Sequence, residues 1–167
     1  MKHWITQRLI IRPFQPTDAD FVVQLLNDES FLRYIGDKQV RTKQDALEYL
    51  ENGPLASYKL NGFGLNLVSL KKDSTPIGMC GLVKRQELEQ PDLGFAFLPD
   101  YCGKGYAYES AMQILSSMKK DLDLNSLLAV TLPNNLRSNQ LLMKLNFKLI
   151  GSMELYDTMN NLYQYKI

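Results

Sequence analysis

The chain has 167 residues, 19 Lys and Arg against 18 Asp and Glu, and 45% apolar residues. This length and composition predict one globular domain over residues 1–167, with enough apolar side chains for a core. The net charge of +1 gives no basic surface for nucleic acid. No apolar run approaches the roughly 18 residues of a membrane-spanning helix. We therefore expect neither a nucleic-acid nor a membrane partner.

The scarcity of histidine and cysteine excludes several catalytic chemistries. His3 is the only histidine and precedes the first predicted strand, which disfavours a Ser-His-Asp triad or a Cys-His dyad. Cys80 and Cys102 are too few for a disulfide scaffold or a zinc cluster, and they fit a reducing cytoplasm. We expect a cytoplasmic protein without a metal, whose chemistry uses carboxylates, hydroxyls, phenols and main-chain groups.

The first part of the chain predicts one strand and three helices. An apolar run at 9–12, stopped by Pro13, predicts the strand. Apolar residues at helical spacing predict helices at 17–26 and 29–35. Thr42 and Asp45 have the spacing of a capping box and open a third helix, and Gly53-Pro54 predicts its end.

The second part of the chain is richer in strands. The runs at 63–70 and 77–83, joined by a turn-rich segment, predict an antiparallel hairpin. A strand at 92–98 precedes the longest helical pattern, which carries its apolar face from Ala107 to Met118. The remaining predicted elements are a buried strand at 127–131, a helix at 135–145, and strands at 148–153 and 162–167. This order predicts a mixed α/β sheet.

The strongest functional signal is the glycine-rich segment 98–107, between a predicted strand and the long helix. Gly103 and Gly105 let the main chain curl so that several N–H groups converge, and the helix start adds unpaired N–H donors. Such a loop binds phosphate oxygens. It does not fit a Walker A loop, and Tyr108 stands where a dinucleotide fingerprint has its third glycine. A plain glycine-rich turn is the structural alternative.

A second polar segment, 133–138, lies at the start of the next predicted helix. Asn135 is expected to cap that helix, with Ser138 near its third position, and ordinary capping accounts for both residues by itself. However, both polar segments follow neighbouring strands that we expect to be parallel. Ligands bind where the ends of such strands diverge.

The residues in these segments resemble a known family. The stretch from Asp92 to Ala111 resembles motif A of the GNAT acyl-CoA-dependent N-acetyltransferases, written Gln/Arg-x-x-Gly-x-Gly/Ala, with Gly105 and Ala107 at its last two fixed positions. Segments 9–14, 135–138 and 142–147 resemble the branch of ribosomal-protein N-terminal (alanine) acetyltransferases. The resemblance runs from about residue 8 to residue 150. Cys102 departs from the motif, and Asn146 stands where glycine is typical.

The resemblance implies a GNAT fold and a binding mode for acetyl-CoA. The fold is a mixed, mainly antiparallel sheet splayed between two parallel strands, with helices on both faces. Pantetheine would pair with the first of those strands, and main-chain N–H groups of the glycine-rich loop would hold the pyrophosphate. The implied cofactor-binding residues are Phe97, Leu98, Gly103, Lys104, Gly105, Tyr106, Ala107, Tyr108, Asn135 and Lys144.

The implied reaction is direct attack of a neutral amine on the thioester. By resemblance, the Leu98 N–H would stabilise the oxyanion, as such donors do elsewhere for about 3 kcal/mol. Ser138 would pass a proton to the departing thiolate. Asp92, or Glu87 or Glu89 just before it, would act as a base through water, and each of these acids has simple solvation as the alternative.

The acceptor and the alternatives stay open at the level of sequence. A peptide N-terminus, an aminoglycoside-like amine and a polyamine are all compatible acceptors, and the protein is expected to be a monomer or a homodimer. Tyrosines 34, 49, 58, 156 and 163 would wall the acceptor side or pack in the core. A non-catalytic CoA-binding sensor or interaction module on the same fold is the alternative function. A phosphate-binding NTPase is disfavoured because no Lys-[Ser/Thr] pair follows the loop.

Overall fold

The computed structural model describes residues 3–121 and 124–166. Its eight strands are β1 (Trp4–Ile5), β2 (Leu9–Pro13), β3 (Leu65–Leu70), β4 (Pro76–Val83), β5 (Asp92–Phe97), β6 (Ser126–Thr131), β7 (Lys148–Leu155) and β8 (Thr158–Lys166). They form one sheet in the order β1-β2-β3-β4-β5-β6-β8-β7. The six helices are α1 (Ala19–Leu26), α2 (Glu29–Tyr34), α3 (Lys43–Leu50), α4 (Ala56–Asn61), α5 (Tyr106–Asp121) and α6 (Leu136–Lys144).

The centre of the sheet opens between β5 and β6, its one parallel pair among the described residues. The two strands are in register only at Asp92 and Leu128, where the Leu128 N–H donates to the Pro91 carbonyl at 3.0 Å. The other strand pairs are antiparallel, from β1 through β5 on one side and from β6 through β8 and β7 on the other. The predicted mixed α/β fold with a splayed sheet is confirmed.

Helices cover both faces of the sheet, over two separate apolar clusters. One cluster packs α5 and α6 against the sheet, and the other packs α1, α2 and α3 against the opposite face. Adjacent strand residues belong to different clusters, as with Leu67 and Val68, because successive side chains in a strand point to opposite faces. Strands β3 and β4 contribute side chains to both clusters, so they are buried on both faces.

The predicted helix stop at Gly53-Pro54 is wrong. The chain continues from α3 through a π-helical segment, Glu51–Leu55, directly into α4, which ends at Gly62 with φ +74°. A proline inside an α-helix clashes with the carbonyl four residues earlier and removes a hydrogen bond. The wider π turn accommodates Pro54, because there the Ala56 N–H bonds the carbonyls of Glu51 and Gly53.

The turn after α6 explains one departure from the family motif. Asn146 has φ +67°, in the left-handed region that favours glycine. Asparagine tolerates this conformation better than other side chains do, so it replaces the typical glycine without disrupting the turn.

In the described ranges of the chain, every helix is too short or too polar to cross a membrane.

Candidate active site

A cleft of about 1170 Å³ opens at the divergence of β5 and β6. It is lined by the glycine-rich loop and the start of α5, by β5, by the start of α6, and by residues of α2, the end of β4 and the β7–β8 hairpin. The two segments that the sequence singled out, 98–107 and 133–138, therefore lie on the same cleft. This is the position where an open sheet binds its ligands.

The glycine-rich loop presents a row of main-chain donors to this cleft. Gly103 and Gly105 have φ values of +72° and +82°. The first hydrogen bond of α5 runs from the Glu109 N–H to the Gly105 carbonyl at 3.0 Å, so the N–H groups of the first helical residues lie ahead of the helical ladder. In residues 3–121 and 124–166, no main-chain carbonyl accepts from the N–H groups of residues 103–105. Unpaired main-chain donors at the start of a helix are the kind of group that binds anions in other proteins.

An ion pair across the sheet holds this loop in place. Arg8 Nε donates to Glu109 Oε2 at 2.7 Å, and Arg8 Nη1 donates to the Lys104 carbonyl at 2.9 Å. The Thr6 hydroxyl and the Arg8 N–H donate to the other Glu109 oxygen at 2.6 and 2.8 Å. Burial opposes ionisation of Glu109, but these bonds outweigh it and lower its pKa. Sequence reasoning missed this clamp because its partners are about a hundred residues apart.

The register of β5 corrects the expected role of Leu98. The Leu98 N–H donates to the Ile77 carbonyl at 2.9 Å, and the Leu98 carbonyl accepts from the Tyr101 N–H at 2.9 Å. Both groups already take part in hydrogen bonds within the fold, which disfavours the expectation that the Leu98 main chain serves the oxyanion and pantetheine. Hydrogen bonding alternates along an antiparallel strand, so the main-chain groups of Phe95 and Phe97 face the gap instead.

The start of α6 brings Asn135 and Ser138 to the other wall of the cleft. Asn135 Oδ1 caps the helix by accepting from the Ser138 N–H at 3.3 Å, as the sequence predicted. The half-buried Ser138 side chain lies on the cleft, and no other described residue hydrogen-bonds its hydroxyl. Lys144 lies further along α6, with its Nζ 4.6 Å from the centre of the Tyr108 ring.

Asp92 lies where β5 and β6 meet, and it is only 1% exposed. Its Oδ1 accepts from Arg85 Nε at 2.9 Å. Burial raises the Asp92 pKa, and the Arg85 charge and hydrogen bond oppose that rise. Arg85 also donates to the Tyr156 hydroxyl at 3.3 Å. Sequence reasoning missed this largely buried pair, because Arg85 precedes an irregular loop between β4 and β5.

The chain matches the acetyltransferase (GNAT) domain model over residues 8–148. The chain belongs to the GNAT family of acetyltransferases. It is 28% identical over 149 residues to the uncharacterized N-acetyltransferase YnaD of Bacillus subtilis (strain 168), covering 89% of this chain and 84% of that protein. Family membership and this relative identify the chain as an N-acetyltransferase.

Solved structures share the GNAT fold closely at low identity. A ribosomal-protein alanine acetyltransferase from Vibrio fischeri superposes with a TM-score of 0.80 at 18% identity, covering 99% of this chain and 97% of that one. The ribosomal-protein acetyltransferase RimL, solved in complex with coenzyme A, superposes with a TM-score of 0.83 at 15% identity, covering 99% and 98%. These likenesses show that the splayed sheet is the fold of the family.

Of the other predicted acids and tyrosines, some line the cleft and others lie outside it. Glu87 lines the cleft, whereas Glu89 accepts from Lys84 Nζ through its main-chain carbonyl at 2.9 Å. Of the predicted tyrosine wall, residues 34, 49 and 156 line the cleft, and residues 58 and 163 are buried in the fold. Tyr163 donates to Asn139 Oδ1 at 2.7 Å and is therefore structural.

Proposed function

We propose that this chain transfers an acetyl group from acetyl-CoA to a primary amine by direct attack. The observation that carries the proposal is the pairing of an open strand edge with an anion-binding loop at its end. An extended pantetheine chain would continue the sheet along Phe95 and Phe97. The N–H groups from Gly103 to Tyr108 would hold the pyrophosphate, and Lys144 and Asn135 would border the adenine end and the pantetheine arm.

The main chain of β5 supplies the electrostatic part of the catalysis in this proposal. Acetyl-CoA brings an activated thioester, on whose oxygen negative charge develops as the amine attacks. An N–H on the open edge of β5, at Phe95 or Phe97, would take the role that the resemblance gives to Leu98. A donor aimed at a developing oxyanion contributes about 3 kcal/mol where it has been measured.

Ser138 is the proposed proton donor to the departing thiolate. Its side chain lies on the cleft wall opposite β5, and the helix cap is supplied by Asn135 rather than by Ser138. The serine hydroxyl therefore has no structural hydrogen bond that would have to break. A hydroxyl is a modest acid, so we expect its contribution to be small beside that of the oxyanion donor.

In this proposal the acceptor amine becomes neutral mainly through its own acid–base equilibrium, by losing a proton without help from an enzyme base. Asp92 is the acid best placed to assist, at the closed end of the gap and with a raised pKa. Its carboxylate already accepts from Arg85, however, and a base held in an ion pair gives up part of its basicity. Asp92 would thus act through water on an amine that is already partly deprotonated.

The state of Cys102 supports direct attack over an acyl-enzyme route. Cys102 lines the cleft, with its Sγ 3.7 Å from the Phe97 carbonyl. Desolvation raises the pKa of the thiol. Because the thiolate is the nucleophilic form, a thiol with a raised pKa is a weak nucleophile at neutral pH.

The proposed acceptor is a protein N-terminus or a small-molecule amine. The solved neighbours named as ribosomal-protein acetyltransferases support the first of these. The test is release of CoA thiol from acetyl-CoA with a panel of amines, with mass spectrometry of the acceptor as the second readout. Acceptor-dependent thiol release with an acetylated product supports the proposal. CoA binding without turnover of any acceptor would favour a non-catalytic CoA-binding module.

A further inference from the structure

Cationic side chains line the cleft, although the chain as a whole carries only +1. The phosphate-binding loop follows the end of β5, and the opposite end of the cleft lies near the start of that strand, at Asp92. Arg85 pairs with Asp92 at this opposite end, and Lys38, Lys84 and Glu87 also line the cleft. An extended chain running from the loop along β5 points to this end, so the acceptor approaches here.

Two of these cations converge on one aromatic ring. Lys38 Nζ lies 5.9 Å and Arg85 Cζ 6.0 Å from the centre of the Tyr156 ring. Tyr156 lies at the tip of the β7–β8 hairpin, between Leu155 and Thr158, and its side chain lines the cleft. Three separate segments of the chain thus meet at this point: the loop after α2, the loop after β4, and the hairpin tip.

The positive charges of Lys38 and Arg85 are only partly compensated by carboxylates. Asp92 pairs with Arg85 at 2.9 Å, and Lys84 Nζ donates to the carbonyls of Leu88 and Glu89. Across the two described ranges, 3–121 and 124–166, Lys38 has no ion pair. The Lys38 side chain is exposed overall, yet its pKa is lowered, first by desolvation and then by the charge of Arg85. An anion bound here would offset the repulsion from Arg85 and favour the charged form of Lys38.

We propose that the acceptor carries a carboxylate near its reacting amine, and that Lys38 and Arg85 bind this carboxylate beside Tyr156. The inference rests on the proposed acetyl transfer and names the substrate class for it. Arg85 Nε already donates to Asp92 and Nη1 to Tyr156, so Nη2 is the nitrogen left to donate to a carboxylate, beside the mobile ammonium of Lys38. The hydroxyl of Tyr156, which accepts from Arg85, adds a donor on the same side.

The test compares acceptors that differ only in charge. One arm uses the tripeptide amides Ala-Glu-Ala and Ala-Ala-Glu against their Gln counterparts, which share the same amine. A second arm uses γ-aminobutyrate against γ-aminobutyramide and distinguishes a small amino acid from an acidic peptide. We expect kcat/KM to be about tenfold higher for the acid in at least one arm, the size of one charge-assisted contact.

The variant Lys38→Gln isolates the site, with Lys59→Gln as its matched control. Lys59 is an exposed lysine on α4, away from the cleft. We expect Lys38→Gln to lower the ratio of kcat/KM for acid over amide toward one, and Lys59→Gln to keep the wild-type ratio. A wild-type ratio below about twofold in both arms, or a ratio unchanged in Lys38→Gln, overturns the inference.

A binding measurement separates this inference from the proposed transfer. Calorimetry of the CoA-saturated protein with N-acetyl-Ala-Glu-Ala-amide and its Gln counterpart measures product binding without turnover. Tighter binding of the Glu compound, lost in Lys38→Gln, supports the carboxylate site even if no acceptor is acetylated. Equal binding of the two compounds, together with active acetyl transfer, overturns the carboxylate site and leaves the transferase proposal standing.

Discussion

Gly105 is the residue on which the proposed phosphate site depends most directly. Its φ of +82° is strained for any side chain, and a Cβ there would lie 3.2 Å from Arg8 Nη2, in the clamp that holds the loop. We expect Gly105→Val to weaken CoA binding at least tenfold by calorimetry, because the loop must move away from the phosphates. Gly62→Val is the matched control: it has a φ of +74° with open space around it. Equal CoA affinity in folded Gly105→Val would remove the site from this loop.

Ser138 tests the proton transfer to the leaving group. A group that acts only on the departing sulfur stabilises the transition state alone, so Ser138→Ala should lower kcat more than it raises the CoA dissociation constant. Stability should be nearly unchanged, because Asn135 supplies the cap. Asn135→Ala is the comparison and should cost about 1 kcal/mol of unfolding free energy. A Ser138→Ala protein with wild-type kcat would make this serine a bystander.

Asp92 is best tested by the pH dependence of kcat/KM. If deprotonation of the acceptor amine governs the pH dependence, kcat/KM rises with pH through the pKa of that amine, and this pKa falls when a less basic amine is used. This is the outcome we expect. If Asp92 is the base, the rise follows the raised pKa of the enzyme and is the same for both amines. A profile independent of the acceptor, and lost in Asp92→Asn, would contradict our expectation.

The Asp92→Asn variant needs a folding control. Removing one partner of a buried ion pair costs about 3–5 kcal/mol, because the other charge loses its partner. Here the remaining charge would be the largely buried Arg85. The unfolding free energy of Asp92→Asn is therefore measured before its pH profile is interpreted, and only the folded fraction is counted in kcat/KM.

At the scale of elements, the contact between the β1–β2 turn and the start of α5 sets the position of the phosphate loop. Glu109→Gln loses the ion pair with Arg8, so we expect a loss of about 1–2 kcal/mol in unfolding free energy near neutral pH. The folded-state pKa of Glu109 lies below its ordinary value of 4.5. This stabilisation is therefore present above that pH and is lost as pH falls through the lowered pKa.

The measurement is the melting temperature of wild type and Glu109→Gln from neutral to acid pH, with Glu51→Gln, at an exposed glutamate, as control. The difference between wild type and Glu109→Gln should shrink as the pH falls below about 4.5. A difference that stays constant with pH would mean that the Glu109 charge does not stabilise the fold.

Local patterns predicted those elements whose signals lie within a few residues of each other. The capping box of Thr42 and Asp45 forms as expected, and α3 begins there. The stop at Gly53-Pro54 failed because a π turn accommodates the proline, and nothing in the local sequence distinguishes these outcomes. The first helix is predicted from residue 17, but it begins at Ala19, after a 3-10 turn at Pro16–Asp18. In that turn Asp18 pairs with Arg12 at 2.7 Å.

The sequence predicted the position of the glycine-rich loop, but it could not predict which residues of β5 hydrogen-bond to β4. Glycine spacing and family resemblance located residues 103–108, because these features lie along the chain. The role of Leu98 depends on which strand residues face β4, and that alternation is fixed only by the pairing of Gly78 with Phe97. The contacts of Glu109 with Arg8, and of Arg85 with Asp92 and Tyr156, join distant segments and follow from tertiary packing.

At the scale of the whole molecule, function follows from a sheet whose two halves meet at a single point. The antiparallel half ends at β5, the other half begins at β6, and they are in register only at Asp92 and Leu128. The apolar cluster under α5 and α6 contains residues of both halves and holds them in this arrangement. A ligand can therefore complete the sheet without any strand first having to separate from its neighbour.

The most direct test of this account is an experimental structure of the protein with CoA bound. We predict that pantetheine lies between β5 and β6 and hydrogen-bonds the main chain of Phe95 and Phe97. The pyrophosphate should accept from N–H groups in the range Gly103–Tyr108, and the thiol should point toward Asp92 and Arg85. CoA bound outside this gap, or paired with the main chain of Leu98, would contradict the account.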